Sequence, residues 1–212
     1  MGISVIMAIY NTPFQFVKRA LDSALSQDFE DFEIIVVNDG SAKSLSLELL
    51  DYCMLHEDKI SFIHAKNAGQ SAAVNKAIQL AKGDFITFLD ADDEYKPNHL
   101  SSCLKEIDTA DLLSSQTETI VSTLDDYYVP DKYDIHKNVH VDDCTLFGTL
   151  FGKKEVFRTI KFLGEYAADS FFYDEVQKIF RVKKSQIRTY VYYRNIESSI
   201  SALQKKERQL AK

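Results

Sequence analysis

Apolar residues over the first hundred positions follow two alternating rhythms. "ISVIMAI" (3–9), "FEIIVV" (32–37), "ISFIHA" (60–65) and "DFITFL" (84–89) are short apolar runs rich in β-branched and aromatic residues, as expected of buried strands. Between them the apolar residues fall at helical spacing. They are Phe14, Val17, Leu21, Ala24 and Leu25, then Leu45, Leu49, Tyr52 and Cys53, then Ala73, Val74, Ala77, Ile78 and Ala81. Thr12 and Pro13 are expected to open the first helix as N-cap and N1, and Gly83 to stop a third helix over 70–81. Strand and helix alternating through four units predict an α/β fold with a mostly parallel sheet flanked by helices.

Beyond residue 101 the pattern loosens. Residues 111–122 suit a strand pair or one long strand, and 125–143 read as a loop. Residues 168–182 suit a helix with Phe171, Phe172, Val176 and Ile179 on one side; 187–193 suit a strand, and 199–211 a terminal helix. No internal repeat, low-complexity segment or Gly/Ser linker divides the chain, so residues 1–212 are expected to form a single domain.

A chain of 212 residues with 45% hydrophobic content can bury a sizeable core without disulfides or structural metals. Its 32 acidic residues outnumber its 25 basic ones, for a net charge of -7, which argues against a nucleic-acid partner. Only the tail "QKKERQLAK" is locally basic. It suits a solvated helix end, with peripheral contact to an anionic membrane surface as the second reading. Cys53, Cys103 and Cys144 form no CxxC pair and fit buried reduced thiols better than a zinc site or a disulfide framework. The first residues lack the basic and apolar regions of a signal peptide. Ile6 stands where myristoylation of Gly2 needs Ser or Thr, and no apolar run reaches transmembrane length. The expected location is cytoplasmic, with the inner face of the membrane as the site of any peripheral contact.

Ligands of parallel α/β sheets bind beyond the carboxyl ends of the strands, and that is where the polar clusters "YNT", "NDGS", "KNAGQS" and "DADD" fall. The glycine loops that usually cradle phosphates, GxGxxG and GxxxxGK[ST], are missing. Asp90 and Asp92 offer a substitute. In an extended segment both carboxylates point to one side, repel each other, and favour a hard divalent ion that could also bridge phosphate oxygens. The plainer alternative is a solvated acidic turn. Asp39 could accept the ring N–H of uracil, thymine or guanine, or simply serve the turn, as Asn67 and Gly69 could. Asn75 lies inside a predicted helix, where asparagine is a poor former.

"ISVIMAIYNTPFQFVKRALDSALSQDFEDFEIIVVNDGS" followed by "NAGQSAAVNKAIQLAKGDFITFLDADD" resembles the family 2 glycosyltransferases of the Rossmann-like GT-A fold, most strongly over residues 3–100. "TLFGTLFGKKEVF", "YAADSFF" and "YVYYRNIESSIS" resemble the family's later landmarks. The resemblance implies inverting transfer of a sugar from a nucleoside-diphosphate sugar, first of all a UDP-sugar, to the hydroxyl of a saccharide or lipid-linked acceptor. It implies Mn²⁺ or Mg²⁺ as cofactor and a role in cell-surface polysaccharide or glycolipid synthesis. Residues 1–100 would bind the donor and 101–212 the acceptor. Ala8 and Tyr10 would border the base, Asp39 would read its edge, Asp90 would approach the ribose, and Asp92 would bind the metal. Asn11, Asn67, Gly69, Asn75 and Ala91 would complete the nucleotide site, and Asp169 would be the catalytic base.

The chain departs from the family pattern at Ala8 (usually proline), Asn38 (usually aspartate), Val74 (often arginine) and Ala168 (often glutamate). With no tryptophan it lacks the QxxRW motif of processive synthases, which favours addition of one sugar. A degenerate, non-catalytic relative that binds nucleotide or a partner is the alternative that Val74 and Ala168 keep open. A nucleotidyltransferase would need Gly, Arg and Lys after the first strand, where "YNTPFQF" stands, and a dehydrogenase would need the glycine fingerprint. His140 and Asp142 are minor metal-ligand candidates, and Asp174 and Glu175 rank below Asp169 as bases. Tyr190, Tyr192 and Tyr193 suit either sugar stacking or a core strand.

Overall fold

The apolar runs of the first hundred residues become the centre of a sheet. In the computed structural model, which describes residues 1–134, 136–164 and 166–195, strand β1 (Ile3–Ile9) is buried at every position except the half-buried Ala8. Its side chains alternate between two cores. Ile3, Val5, Met7 and Ile9 join one, and Ile6 joins the other. β2 (Phe32–Asp39) does the same, with Ile34 and Val36 on the first side and Ile35 and Val37 on the second. Period-two alternation with both faces covered explains why these strands read as continuous apolar runs.

Helices α1 (Phe14–Leu25) and α2 (Lys43–Met54) bury Val17, Leu21, Leu49 and Tyr52 in the first core. Between β3 (Ile60–Ala65) and β4 (Phe85–Phe88), helix α3 (Gln70–Leu80) buries Ala73, Val74, Ala77 and Ile78 in the second. The later half supplies β5 (Glu94–Tyr95), α4 (His99–Ile107), β6 (Leu112–Ser114), β7 (Thr117–Ile120), β8 (Tyr128–Pro130) and β9 (Asn138–His140). It then continues with β10 (Leu150–Lys153), α5 (Lys154–Thr159), α6 (Ala168–Val176), β11 (Val182–Lys184) and β12 (Tyr190–Tyr193).

Among the described residues the main sheet has seven strands in the order β11-β6-β10-β4-β1-β2-β3. All its pairings are parallel except those of β10, which runs antiparallel between β4 and β6. The chain steps from β1 outward to β3, then returns to place β4 on the other side of β1. That reversal is the topological switch point where such sheets hold ligands. A second sheet, β5-β12-β7, lies beyond the carboxyl end of β4, and β8 and β9 form a hairpin.

The alternating frame is as expected, but several details differ. Pro13, not Thr12, is the N-cap residue of α1, and no side chain caps it. Helix α3 ends at Leu80 with Ala81 as its cap, so Gly83 is not the stop. A Cβ at Gly83 would lie 2.7 Å from the Ser4 nitrogen, so glycine there lets the chain pass close against β1. The 111–122 segment forms two strands that join different sheets, and the 125–143 loop contains the β8–β9 hairpin. Helix α6 stops at Val176 and buries Phe172 and Val176, while Phe171 on its outward face and Ile179 beyond its end are exposed. The cause lies just downstream. Asp111 accepts the Arg181 N–H at 3.0 Å, and the chain leaves the helix to pair β11 with β6. The expected helix at 199–211 lies outside the described residues.

An aromatic cluster fills the second core beneath α6. Phe162 stacks on Phe172 with ring centres 4.1 Å apart, and Phe88 meets Phe147, Phe157 and Phe162 edge-on. Truncating such a ring typically costs about 3–5 kcal/mol. The three cysteines are free thiols, and burial pushes Cys53 up to about 12. Among the described residues no helix is long and apolar enough to cross a membrane.

Candidate active site

Four aspartates gather at the carboxyl end of β4 and across from it. Asp90 to Asp93 form a turn closed by the Asp93 N–H on the Asp90 carbonyl at 3.1 Å, not the extended segment expected from the sequence. The carboxylates nevertheless crowd one another. Burial pushes Asp90 up to about 7, and the charges of Asp92 and of the distant Asp169 add to the rise. Burial likewise raises Asp92 and, with help from Asp92 and Asp90, raises Asp93 well above the usual carboxylate range.

Three elements hold the turn. Tyr190 on β12 donates its hydroxyl to Asp93 Oδ2 at 2.7 Å and accepts the Asp90 N–H at 3.2 Å, while the Tyr193 N–H reaches Asp93 Oδ1 at 2.8 Å. Of the three tyrosines considered for sugar stacking, Tyr190 is thus a core ring with a polar tip at the site. From α1, Arg19 donates to the Asp92 carbonyl at 2.5 Å and sits 3.9 Å over the Tyr193 ring. It also ion-pairs with Glu94 at 2.8 Å, without hydrogen-bond geometry at Nε. Gln70, at the start of α3, donates to Asp90 Oδ1 at 3.1 Å. None of these supports was singled out in the sequence as a partner of the turn. The signal available was the alternation of "YVYY", which aims Tyr190 and Tyr192 to one face.

Beside β4, the end of β1 leaves Ala8 half-buried and Tyr10 exposed. Asn11, at a positive φ of 52°, receives the Ala42 N–H on its side chain at 2.9 Å and ties the loops after β1 and β2 together. Asp39 ends β2 with only 3% of its surface exposed. Its two carboxylate oxygens already accept the Ala68 and Gly69 N–H groups at 3.0 and 2.9 Å, and Asn67 bonds its carbonyl at 3.0 Å. Each oxygen keeps a further lone pair for an incoming N–H. Ala91 is buried inside the turn.

Asn75, expected at the nucleotide, has its amide engaged by the backbone of the second half. Its amide donates to the Phe162 carbonyl at 2.7 Å and accepts the Phe162 N–H at 3.1 Å. That reciprocal pair pins the segment leading to α6, which accounts for an asparagine inside a helix.

Asp169 lies in the first turn of α6, whose N-cap residue is Ala167, in the left-handed conformation and without a side-chain cap bond. Its oxygens accept the Ser170 N–H at 2.7 Å and the Phe147 N–H at 3.1 Å. Burial lifts it to about 6 despite these bonds and the nearby Lys132 charge. The rival carboxylates are engaged elsewhere. Asp174 pairs with Lys132 at 2.5 Å and Glu175 with Lys178 at 2.5 Å. Asp142 takes both Arg188 Nη1 and Nη2, at 2.8 and 2.7 Å, and is no free metal ligand with His140.

The arrangement is that of the GT-A fold, with an acidic turn at the switch point and a lifted carboxylate from the second half whose charge reaches it. Residues 4–172 match the model of the family described as "Glycosyl transferase family 2", and the chain belongs to that family. An uncharacterised glycosyltransferase of Rickettsia prowazekii is 32% identical over 185 residues, covering 77% of this chain and 56% of that protein. The putative glycosyltransferase EpsH of Bacillus subtilis is 35% identical over 104 residues, or 49% of this chain and 30% of EpsH. Among solved structures, S. aureus TarS 1–349 in complex with UDP-GlcNAc has a TM-score of 0.71 at 21% identity, over 96% of this chain and 61% of that one. The mannosyltransferase PcManGT of Pyrobaculum calidifontis, in complex with GDP-Man and Mn²⁺, has a TM-score of 0.71 at 17% identity, over 97% and 60%. The chain spans between about a third and three fifths of the lengths of these relatives.

Proposed function

We propose that this chain transfers one sugar from a nucleoside-diphosphate sugar to an acceptor hydroxyl, with inversion at the anomeric carbon. The observation that carries the reading is the buried Asp169 carboxylate, held by the Phe147 and Ser170 N–H groups near enough to the Asp90–Asp93 turn that its charge acts on Asp90. Inverting displacement needs a base on the face opposite the leaving group. Asp169 suits the role because burial makes it a stronger base than an ordinary carboxylate while leaving it ionised at neutral pH.

A divalent cation fits the turn. Three crowded, raised carboxylates favour a hard ion with oxygen ligands, and the PcManGT complex contains Mn²⁺. Among the described residues no three His, Cys, Asp or Glu side chains form a ready cage, so Asp92 would hold the ion together with diphosphate oxygens. The bound ion would neutralise charge on the departing diphosphate. Tyr10 and Asp39 would meet the base, and UDP is the first candidate because its ring N–H would find the Asp39 carboxylate. The acceptor is a saccharide or a lipid-linked saccharide, in cell-surface polysaccharide or glycolipid synthesis. Calorimetry with UDP, GDP and CDP, with and without Mn²⁺, combined with detection of free UDP released from UDP-sugars, tests the reading. Absence of both nucleotide binding and donor turnover would favour the non-catalytic alternative.

A further inference from the structure

Three exposed aromatic side chains lie close in the chain to the candidate base or in contact with one that does. Tyr133 is 74% exposed, Phe171 40% and Tyr166 37%. Phe171 follows Asp169 by two residues in α6, and Tyr166 precedes it by three. Tyr133 meets Phe171 edge-on with ring centres 5.9 Å apart. The Lys132 ammonium sits 5.0 Å from the Tyr133 ring centre and 5.6 Å from that of Phe171, and its charge acts on Asp169.

These rings are exposed but not loose. The Tyr133 hydroxyl donates to Asp174 Oδ2 at 2.9 Å, and the Tyr166 hydroxyl donates to the Pro130 carbonyl at 3.1 Å. The loop beneath is fixed by Asp131, whose Oδ1 accepts the Tyr133 and Asp134 N–H groups at 2.8 and 2.9 Å. Tyr133 and Tyr166 are thus tethered at their tips, so a partner meets surfaces whose ordering is already complete. Aromatic faces pack against the C–H faces of sugar rings, while nearby carboxylates and the ammonium can bond sugar hydroxyls. An anionic lipid surface is a poorer match, since it attracts clustered Lys and Arg, and Asp131, Asp134 and Asp174 stand among these rings.

We propose that Tyr133, Phe171 and Tyr166 form the rim on which a saccharide acceptor lies while one of its hydroxyls reaches Asp169. The proposal rests on the reading of Asp169 as the base, and it assigns the acceptor as a sugar ring in direct contact with protein. A flat pyranose face against Tyr133 is the main contact, with Phe171 at its edge.

The test is saturation-transfer NMR on the protein with UDP and Mg²⁺, using lactose, cellobiose and N,N′-diacetylchitobiose as probes. Wild type should transfer saturation to the C–H protons of at least one probe. Tyr133→Ala and Phe171→Ala should each weaken that probe's affinity about tenfold, with UDP affinity by calorimetry unchanged. Tyr133→Phe keeps the ring and frees its tip, and should lose less. Asp169→Asn should retain probe contact, so failure of the base reading leaves a different signature from failure of the rim. Melting temperatures near wild type show that the variants are folded, as expected for exposed rings. No contact with any probe in wild type, or equal contact in both alanine variants, overturns the proposal. So does binding to phosphatidylglycerol vesicles that falls in Tyr133→Ala, which would make the patch a membrane contact.

Discussion

Tyr190 and Asp93 are 97 residues apart in sequence and 2.7 Å apart in space, hydroxyl to carboxylate. That bond joins the last described strand to the acidic turn, and it exists because residue 148 has no side chain. A Cβ there would lie 1.9 Å from the Tyr190 ring. Tyr190→Phe is expected to leave Asp93 short of a partner and cost about 1–3 kcal/mol of stability. Gly148→Ala should do more, because it forces the whole ring away. Both should weaken Mn²⁺-dependent UDP binding as well as lower the melting temperature. Unchanged UDP affinity in a folded Tyr190→Phe protein would show that the turn keeps its shape without the strand.

Asp92→Ala should abolish the part of UDP affinity that depends on Mn²⁺ and leave the fold intact, since the side chain takes no part in the apolar core. Calorimetry with and without chelator measures both quantities in one series. Metal-dependent binding that survives the substitution would move the ion to another carboxylate.

Asp169→Asn should lower kcat by about 10²–10⁴-fold with little change in donor affinity, and its amide oxygen can still accept the Phe147 N–H. In wild type, kcat should rise with pH through about 6, where the carboxyl loses its proton. A variant with near-normal turnover but a lower melting temperature would reduce Asp169 to a brace between α6 and Phe147.

His99 is expected to make the protein acid-sensitive. It is buried against the Tyr95 ring, with Nδ1 2.8 Å from Thr189 Oγ1, and burial pushes it from 6.5 down to about 3. Below 6.5 the unfolded chain takes up a proton that the folded one refuses. Its contribution is therefore complete above that pH and lost as pH falls toward 3, by up to about 1.4 kcal/mol per pH unit. Asp90 and Asp169, raised by burial, act in the opposite direction. The comparison of wild type with His99→Gln between pH 7 and 5 isolates the histidine, and parallel melting-temperature slopes would contradict its neutral burial.

The first four strands and three helices were legible because each carries a complete local period, and the places of Asp39, Asp90 and Asp92 in the fold were legible because they close a strand or come just after one. The second sheet was not. The strands of "TETI" and "YVYY" fall within expected strand segments, but "EY" is too short to show a period, and β12 finds β5 and β7 only through pairings that no local pattern encodes. The same limit hid the partner of Tyr190, which is fixed by register and by Gly148. Asn75 stands out in the sequence for its poor helix propensity, but its partner, the Phe162 backbone, is 87 residues away. The end of α6 was overrun because the pull that ends it comes from Asp111 across the sheet.

Strand β10 also has a consequence for synthesis. Thr87 and Leu150 are neighbours across the β4–β10 boundary but 63 residues apart in the chain. A ribosome therefore delivers β1 to β4 long before the strand that covers the β4 flank. During that interval Phe85–Phe88 offers an apolar, unpaired edge, the feature most prone to pairing with a second nascent chain. A fragment ending near residue 100 should behave as that intermediate, with a formed β4-β1-β2-β3 sheet that is soluble only while something else occupies the place of β10.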